Sequence, residues 1–118
     1  MIIKNGVSKL SLIFYFELKD VYEFKNILDS KITFINGFFV KKDQYISTKI
    51  FIQIVNSKEY IEISKSEIKL FIDQDTKEQI LYLLNGFIDN DNFPLSECCE
   101  LDNFKIGTSI QLYFQKLE

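Results

Sequence analysis

Residues 9–18 read KLSLIFYFEL, and from position 10 to position 18 every second residue is Leu or Phe. The positions between them include polar residues, so the pattern has the two-residue period of a β-strand with one buried face. Asp20 and Glu23 then follow with the spacing of a capping box, and apolar residues recur at helical intervals. The sequence therefore predicts a strand followed by a helix over about residues 21–29.

The rest of the chain gives strand and helix signals of the same kind. Asp75 and Glu78 form a second capping box before a wide apolar stripe, which predicts a helix over about residues 76–88. The Asn36-Gly37 pair indicates either a hairpin turn or a bulge within a strand. Residues 61–72 favour strands, with a helix as the competing interpretation. The predicted strands cover about 32–40, 46–55, 60–64 and 68–72, and a C-terminal hairpin covers 101–116.

This order of elements predicts an α+β fold. We expect a single antiparallel or mixed sheet of about 5–7 strands with two helices packed on one face. No repeat, low-complexity tract or Pro/Gly/Ser-rich linker divides the chain, so residues 1–118 are predicted to form a single domain. Hydrophobic residues make up 47% of the chain, which is enough to build a core.

Several compositional features bear on location and source. No apolar run approaches the ~20 residues that a membrane-spanning helix needs, and the N-terminus lacks the pattern of a signal peptide. These features predict a cytoplasmic protein that does not bind membranes. The chain has no Ala, Arg, His or Trp but is rich in Lys, Ile, Asn and Phe, which matches AT-rich codons and indicates a bacterial source.

The missing residue types also exclude most enzyme classes. Without His, neither a Ser-His-Asp nor a Cys-His nucleophile system can be assembled, and zinc sites that use His are excluded. The two cysteines, Cys98 and Cys99, are too few for an all-cysteine zinc site. Neither GxxxxGK[ST] nor GxGxxG occurs, so no nucleotide cofactor is expected. We therefore predict a protein that is not an enzyme and has no metal, cofactor or catalytic residue.

Charge is distributed unevenly along the chain. Residues 1–58 contain nine Lys against five acidic residues, whereas residues 59–118 contain five Lys against twelve. The absence of Arg and the net charge of −3 argue against a nucleic-acid partner. Within the acidic half, residues 89–102 contain no Lys and hold five carboxylates, namely Asp89, Asp91, Glu97, Glu100 and Asp102.

This segment, which we call the acidic segment, is the predicted partner-binding site. Clustered carboxylates speed the encounter with a basic protein, and Phe93 within the segment would supply an aromatic anchor. A solvated loop without a partner is the simpler interpretation. The acidic segment does not match the pattern of a calcium-binding loop, because Phe93 and Pro94 occupy positions that need an oxygen ligand and a glycine.

The functional prediction is a non-enzymatic protein-binding domain. Its most concrete form is an immunity-type inhibitor that neutralises a bacterial toxin, such as a basic nuclease, through the acidic segment. One alternative is a structural subunit that self-associates as a homodimer. Another is a small-ligand-binding domain with a Phe-lined pocket under the sheet.

Overall fold

The computed structural model describes residues 1–7 and 10–118, which form eight strands and two helices. The helices are α1 (Leu18–Leu28) and α2 (Gln74–Asn90). The strands are β1 (Ile2–Asn5), β2 (Ser11–Phe16), β3 (Ile35–Lys41), β4 (Gln44–Ile54), β5 (Tyr60–Ile63), β6 (Glu67–Ile72), β7 (Cys99–Asn103) and β8 (Thr108–Lys116).

The strands close into a barrel in the order β1-β2-β8-β7-β5-β6-β4-β3. The prediction of an open sheet of 5–7 strands with both helices on one face is therefore wrong. Closure depends on parallel pairs between strands that are distant in sequence, such as β1 with β3 and β5 with β7. Side-chain periodicity identifies the faces of a strand but carries no information about which strand lies beside it.

Strand direction gives the barrel two different ends. Consecutive strands pair antiparallel within four hairpins, and neighbouring hairpins meet through parallel pairs. All four hairpin turns therefore lie at one end, which we call the hairpin end. The connections that contain α1 and α2 lie at the other, the helix end, where Lys25 of α1 donates a hydrogen bond to Asn85 of α2 at 2.9 Å.

The barrel has internal two-fold pseudosymmetry that the sequence did not reveal. The elements β1-β2-α1-β3-β4 and β5-β6-α2-β7-β8 follow the same order, and a shift by four strands superimposes the barrel order on itself. Buried residues of the two halves correspond at one constant spacing along the chain. The corresponding pairs are Leu12 with Ile68, Phe14 with Leu70, Phe16 with Ile72, Phe24 with Ile80, Ile27 with Leu83 and Leu28 with Leu84.

Both helices begin two residues after a buried strand residue, earlier than the sequence predicts. Glu17 is the N-cap of α1 and forms a capping box with Asp20, so Asp20 stands in the first turn instead of at the cap. Asp73 is the N-cap of α2 and accepts a hydrogen bond from the Thr76 N–H at 2.9 Å. Among the described residues, neither helix combines the length and apolar character needed to cross a membrane.

The Asn36-Gly37 pair is neither a turn nor a bulge. Both residues lie inside β3 and pair in register with β4, and the turn falls at Lys42 and Asp43, which have positive φ angles of 51° and 62°. A Cβ atom at Gly37 would lie 3.1 Å from the backbone oxygen of Met1. Glycine therefore permits a close approach of the Met1 backbone here, and a larger residue would require a shift of a few tenths of an ångström.

Six phenylalanines fill the helix end of the barrel. Their ring centroids form a connected cluster with separations between 4.7 Å and 6.5 Å. Such aromatic pairs add to the stabilisation that burial of their area provides. The members of this phenylalanine cluster are Phe14, Phe16, Phe24, Phe87, Phe93 and Phe114.

Candidate functional site

The acidic segment is partly neutralised by lysines from distant parts of the chain. Asp91 forms an ion pair with Lys116 at the end of β8. Asp102 forms one with Lys58, with 2.9 Å between Nζ and Oδ2, and accepts a hydrogen bond from Ser109 at 2.9 Å. The hydrogen bonds from Lys58 and Ser109 lower the pKa of the Asp102 carboxyl below its usual range. Two of the five predicted carboxylates therefore already have cationic partners.

The remaining three carboxylates are exposed, and they lie on different elements. Asp89 is near the end of α2, Glu97 is in the loop that follows, and Glu100 is on the outer face of β7. Among the described residues, none of the three forms an ion pair. These three side chains therefore provide the free negative charge of the segment.

Phe93 does not lie on the surface. Only 5% of the residue is exposed, and its ring centroid lies 4.7 Å from that of Phe87 and 5.1 Å from that of Phe16. The exposed apolar residue of this loop is Leu95, which is 91% exposed and lines a surface groove of about 460 Å³. In this conformation Phe93 belongs to the phenylalanine cluster and cannot serve as an anchor for a partner.

An aromatic row on the outer wall of the barrel is the feature that sequence analysis missed. Tyr60 of β5 stacks on Phe71 of β6 with 4.2 Å between ring centroids and 9° between planes, and Phe104 lies 5.3 Å beyond Tyr60. On β4, Phe51 pairs with Phe34 at 5.7 Å. We define the aromatic row as Phe34, Phe51, Phe71, Tyr60 and Phe104.

Four lysines accompany the row, and three of them are already engaged, whereas Lys105 beside Phe104 is exposed and forms no ion pair among the described residues. Lys49 lies over Phe34 at 4.7 Å from the ring centroid, and Lys69 lies over Phe51 at 5.9 Å and pairs with Glu67. Lys58 lies 5.7 Å from the Phe104 centroid while it pairs with Asp102. Cations over ring faces are attracted by the aromatic quadrupole, so these contacts hold the lysines and rings in place.

The aromatic row meets the acidic segment at β7. Tyr60 is in register with Asp102, and Glu100 lies two residues away on the same face of the strand. Glu62 lies on the face of β5 that carries Tyr60 and, like Glu100, is exposed. Among the described residues, neither Glu62 nor Glu100 has an ion-pair partner. The row therefore combines apolar rings with a small excess of free carboxylates.

No family model, curated protein or solved structure matches this chain. The assignment of a function therefore rests on the residues themselves. Among residues 1–7 and 10–118, no group of three or more Cys, Asp or Glu side chains has an arrangement that could hold a metal ion.

The adjacent cysteines are both free thiols, Cys98 buried and Cys99 half-buried. A hydrogen bond with Cys98, then burial, then the carboxylates of Glu59 and Glu97 raise the pKa of the Cys99 thiol far above its usual range. The thiolate is the reactive form of cysteine. Cys99 is therefore held in its unreactive form at neutral pH.

We expect iodoacetamide to alkylate Cys99 at pH 8 roughly tenfold or more slowly in the native protein than in urea. Folding raises this pKa, so the contribution of the Cys99 thiol to the free energy of unfolding depends on pH. That contribution is fully present below about pH 8.5 and is lost as the pH rises above it. Mass spectrometry of the alkylated peptide measures the rate, and the Cys99→Ala variant should lose part of the alkaline destabilisation. Equal alkylation rates in native and unfolded protein would contradict a raised pKa of the Cys99 thiol in the folded state.

Proposed function

We propose that this chain is a non-enzymatic, cytoplasmic protein-binding domain, in its most specific form an immunity-type inhibitor of a bacterial toxin. The observation that carries the proposal is the aromatic row. Protein interfaces are enriched in aromatic residues, and a few such anchors provide most of the binding energy. The row places Phe104, which is 63% exposed in the turn between β7 and β8, beside the half-buried rings of Tyr60 and Phe71.

Charge favours a basic protein as the partner. Lys49, Lys58 and Lys69 are engaged by rings or carboxylates of the same chain. The free charges beside the rings are Glu62 and Glu100 against Lys105, an excess of one negative charge. The exposed Asp89 and Glu97 add negative charge further along the acidic segment. Carboxylates around an aromatic anchor accelerate the encounter with a basic surface and discriminate against acidic ones.

A single-stranded nucleic acid fits the row poorly. Base stacking requires free ring faces, as in single-strand binding proteins. Here the faces of Tyr60 and Phe71 are stacked on each other, and Lys58 lies over Phe104. The free carboxylates beside the rings would also repel phosphates.

The test is direct binding to the purified product of the adjacent gene, measured by calorimetry. We expect the Phe104→Ala variant to bind roughly 30-fold more weakly, because an aromatic hot spot contributes about 2 kcal/mol. The Glu100→Lys variant should bind more slowly, with a weaker dependence on salt concentration.

The matched control is Tyr82→Ala, which removes a 72% exposed aromatic residue from α2 without touching the row. If Phe104→Ala and Tyr82→Ala both bind as tightly as the parent, the aromatic row is not the interface. Combined charge reversal at Asp89 and Glu97 then tests the acidic segment alone. Light scattering of the isolated protein distinguishes this function from self-association, which predicts a dimer at all accessible concentrations.

A further inference from the structure

The hairpin end of the barrel contains a cavity of about 360 Å³. It is lined by inward-facing residues of β1 to β6 and by the turn between β5 and β6. Eight-stranded barrels have an interior that is either filled by side chains or able to hold one small ligand. This barrel does both, because the phenylalanine cluster fills the helix end and the cavity occupies the hairpin end.

The cavity has an apolar floor. Leu12 and Ile68, the pseudosymmetric pair of the two halves, are each almost fully buried there. Phe39 and Ile63 are half-buried and complete the floor from β3 and β5. Small-molecule sites are typically concave and apolar with a few polar groups that fix orientation.

The rim of the cavity is basic. Lys41 ends β3, and Lys65 stands in the turn between β5 and β6. Among the described residues, neither lysine forms an ion pair, in contrast to Lys58, Lys69 and Lys116. In the turn beside Lys41, Lys42 adds positive charge and Asp43 offsets one charge, so the rim is positive overall.

We propose that the mouth of the barrel binds a small aliphatic carboxylate. The hydrocarbon chain would lie on the floor formed by Leu12, Phe39, Ile63 and Ile68, and the carboxylate would lie at Lys41 and Lys65. Burial of the chain provides affinity in proportion to its apolar area, and the lysines select a negative headgroup. This site is separate from the aromatic row and does not depend on the proposed protein-binding function.

The volume sets the size of the ligand. A space of 360 Å³ equals the volume of about a dozen waters at ~30 Å³ each. A carboxylate with about ten non-hydrogen atoms, such as octanoate, therefore fits, whereas long-chain fatty acids would extend into solvent.

The experiment is an NMR titration of the full chain with octanoate. We expect saturable shifts at amides of the floor and rim, and weaker binding of octanol, which has the same chain without the charge. The Lys41→Gln/Lys65→Gln variant should bind octanoate roughly three- to tenfold more weakly and leave octanol binding unchanged. The charge-matched control is Lys19→Gln/Lys31→Gln, in which two exposed lysines near α1 are neutralised.

A second variant, Ile63→Phe, fills the cavity and should abolish octanoate binding. If that variant does not fold, the lysine pair and its control still decide the question. The proposal is overturned if octanoate shows no saturable binding or if octanol binds equally well. It is also overturned if loss of Lys41 and Lys65 weakens binding no more than loss of Lys19 and Lys31.

Discussion

Replacement of Phe93 with Ala is expected to lower the free energy of unfolding by about 3–5 kcal/mol. The ring is almost fully buried, and its centroid lies 4.7 Å from that of Phe87 and 5.8 Å from that of Phe114. Truncation removes the transfer free energy of the ring and leaves a cavity among stiff aromatic neighbours that cannot collapse fully. Urea unfolding followed by circular dichroism measures the change.

Two variants serve as controls for this prediction. Phe93→Leu retains most of the apolar volume and should cost less than about 1.5 kcal/mol. Phe104→Ala removes the same side chain from an exposed position and should change stability by about 0.5 kcal/mol or less. If Phe93→Ala is as stable as the parent but fails to bind a partner, Phe93 is an interface residue as the sequence suggested.

The structure explains why sequence analysis took Phe93 for a surface anchor. Four polar residues precede it, so local composition indicates an exposed loop. Asp91 adopts a left-handed conformation with φ of 58°, and its N–H bonds to the Phe87 carbonyl oxygen at 2.7 Å. This turn at the end of α2 directs the chain back, so that Phe93 packs on Phe87 of the preceding helical turn. Apolar contacts of this kind often accompany left-handed helix ends.

Local patterns in the sequence identified strand faces well. Leu12, Phe14 and Phe16 are buried as their alternation indicated, and so are Ile68 and Ile72. The pattern was wrong at both ends of β2. Leu10 is 42% exposed because β2 begins only after it, and Leu18 is 51% exposed because it is the first residue of α1. Periodicity therefore predicts the interior of an element better than its ends.

The pseudosymmetry and the aromatic row escaped the sequence for different reasons. Positions that correspond in the two halves are both buried but hold different residues, as Phe24 and Ile80 do. The row joins residues from β4, β5, β6 and two loops, and only the pairing of strands brings them together. The lysines that neutralise Asp91 and Asp102 are similarly remote in sequence. The row and these ion pairs depend on strand order, which a single sequence does not specify.

The second large effect is expected from Asp20→Ala, at about 2–3 kcal/mol of lost stability. Asp20 is 2% exposed, and its Oδ2 accepts the Glu17 N–H at 2.8 Å, which closes the capping box of α1. Its Oδ1 lies 3.3 Å from the terminal ammonium of Met1, whose side chain is buried although the residue as a whole is half-buried. Removal of the carboxylate leaves the Glu17 N–H and the Met1 ammonium without this partner. Urea unfolding of the parent and variant at neutral pH provides the measurement.

Two further variants separate the buried ion pair from the helix cap. Asp20→Asn can still accept the Glu17 N–H but carries no charge, so it should recover only the capping contribution of about 1 kcal/mol. Asp29→Ala removes an exposed carboxylate at the other end of α1 and should cost about 0.5 kcal/mol or less. If Asp20→Ala costs no more than about 1 kcal/mol, the cap alone explains Asp20. The contact with Met1 would then contribute nothing to the closure of the barrel between β1 and its neighbours.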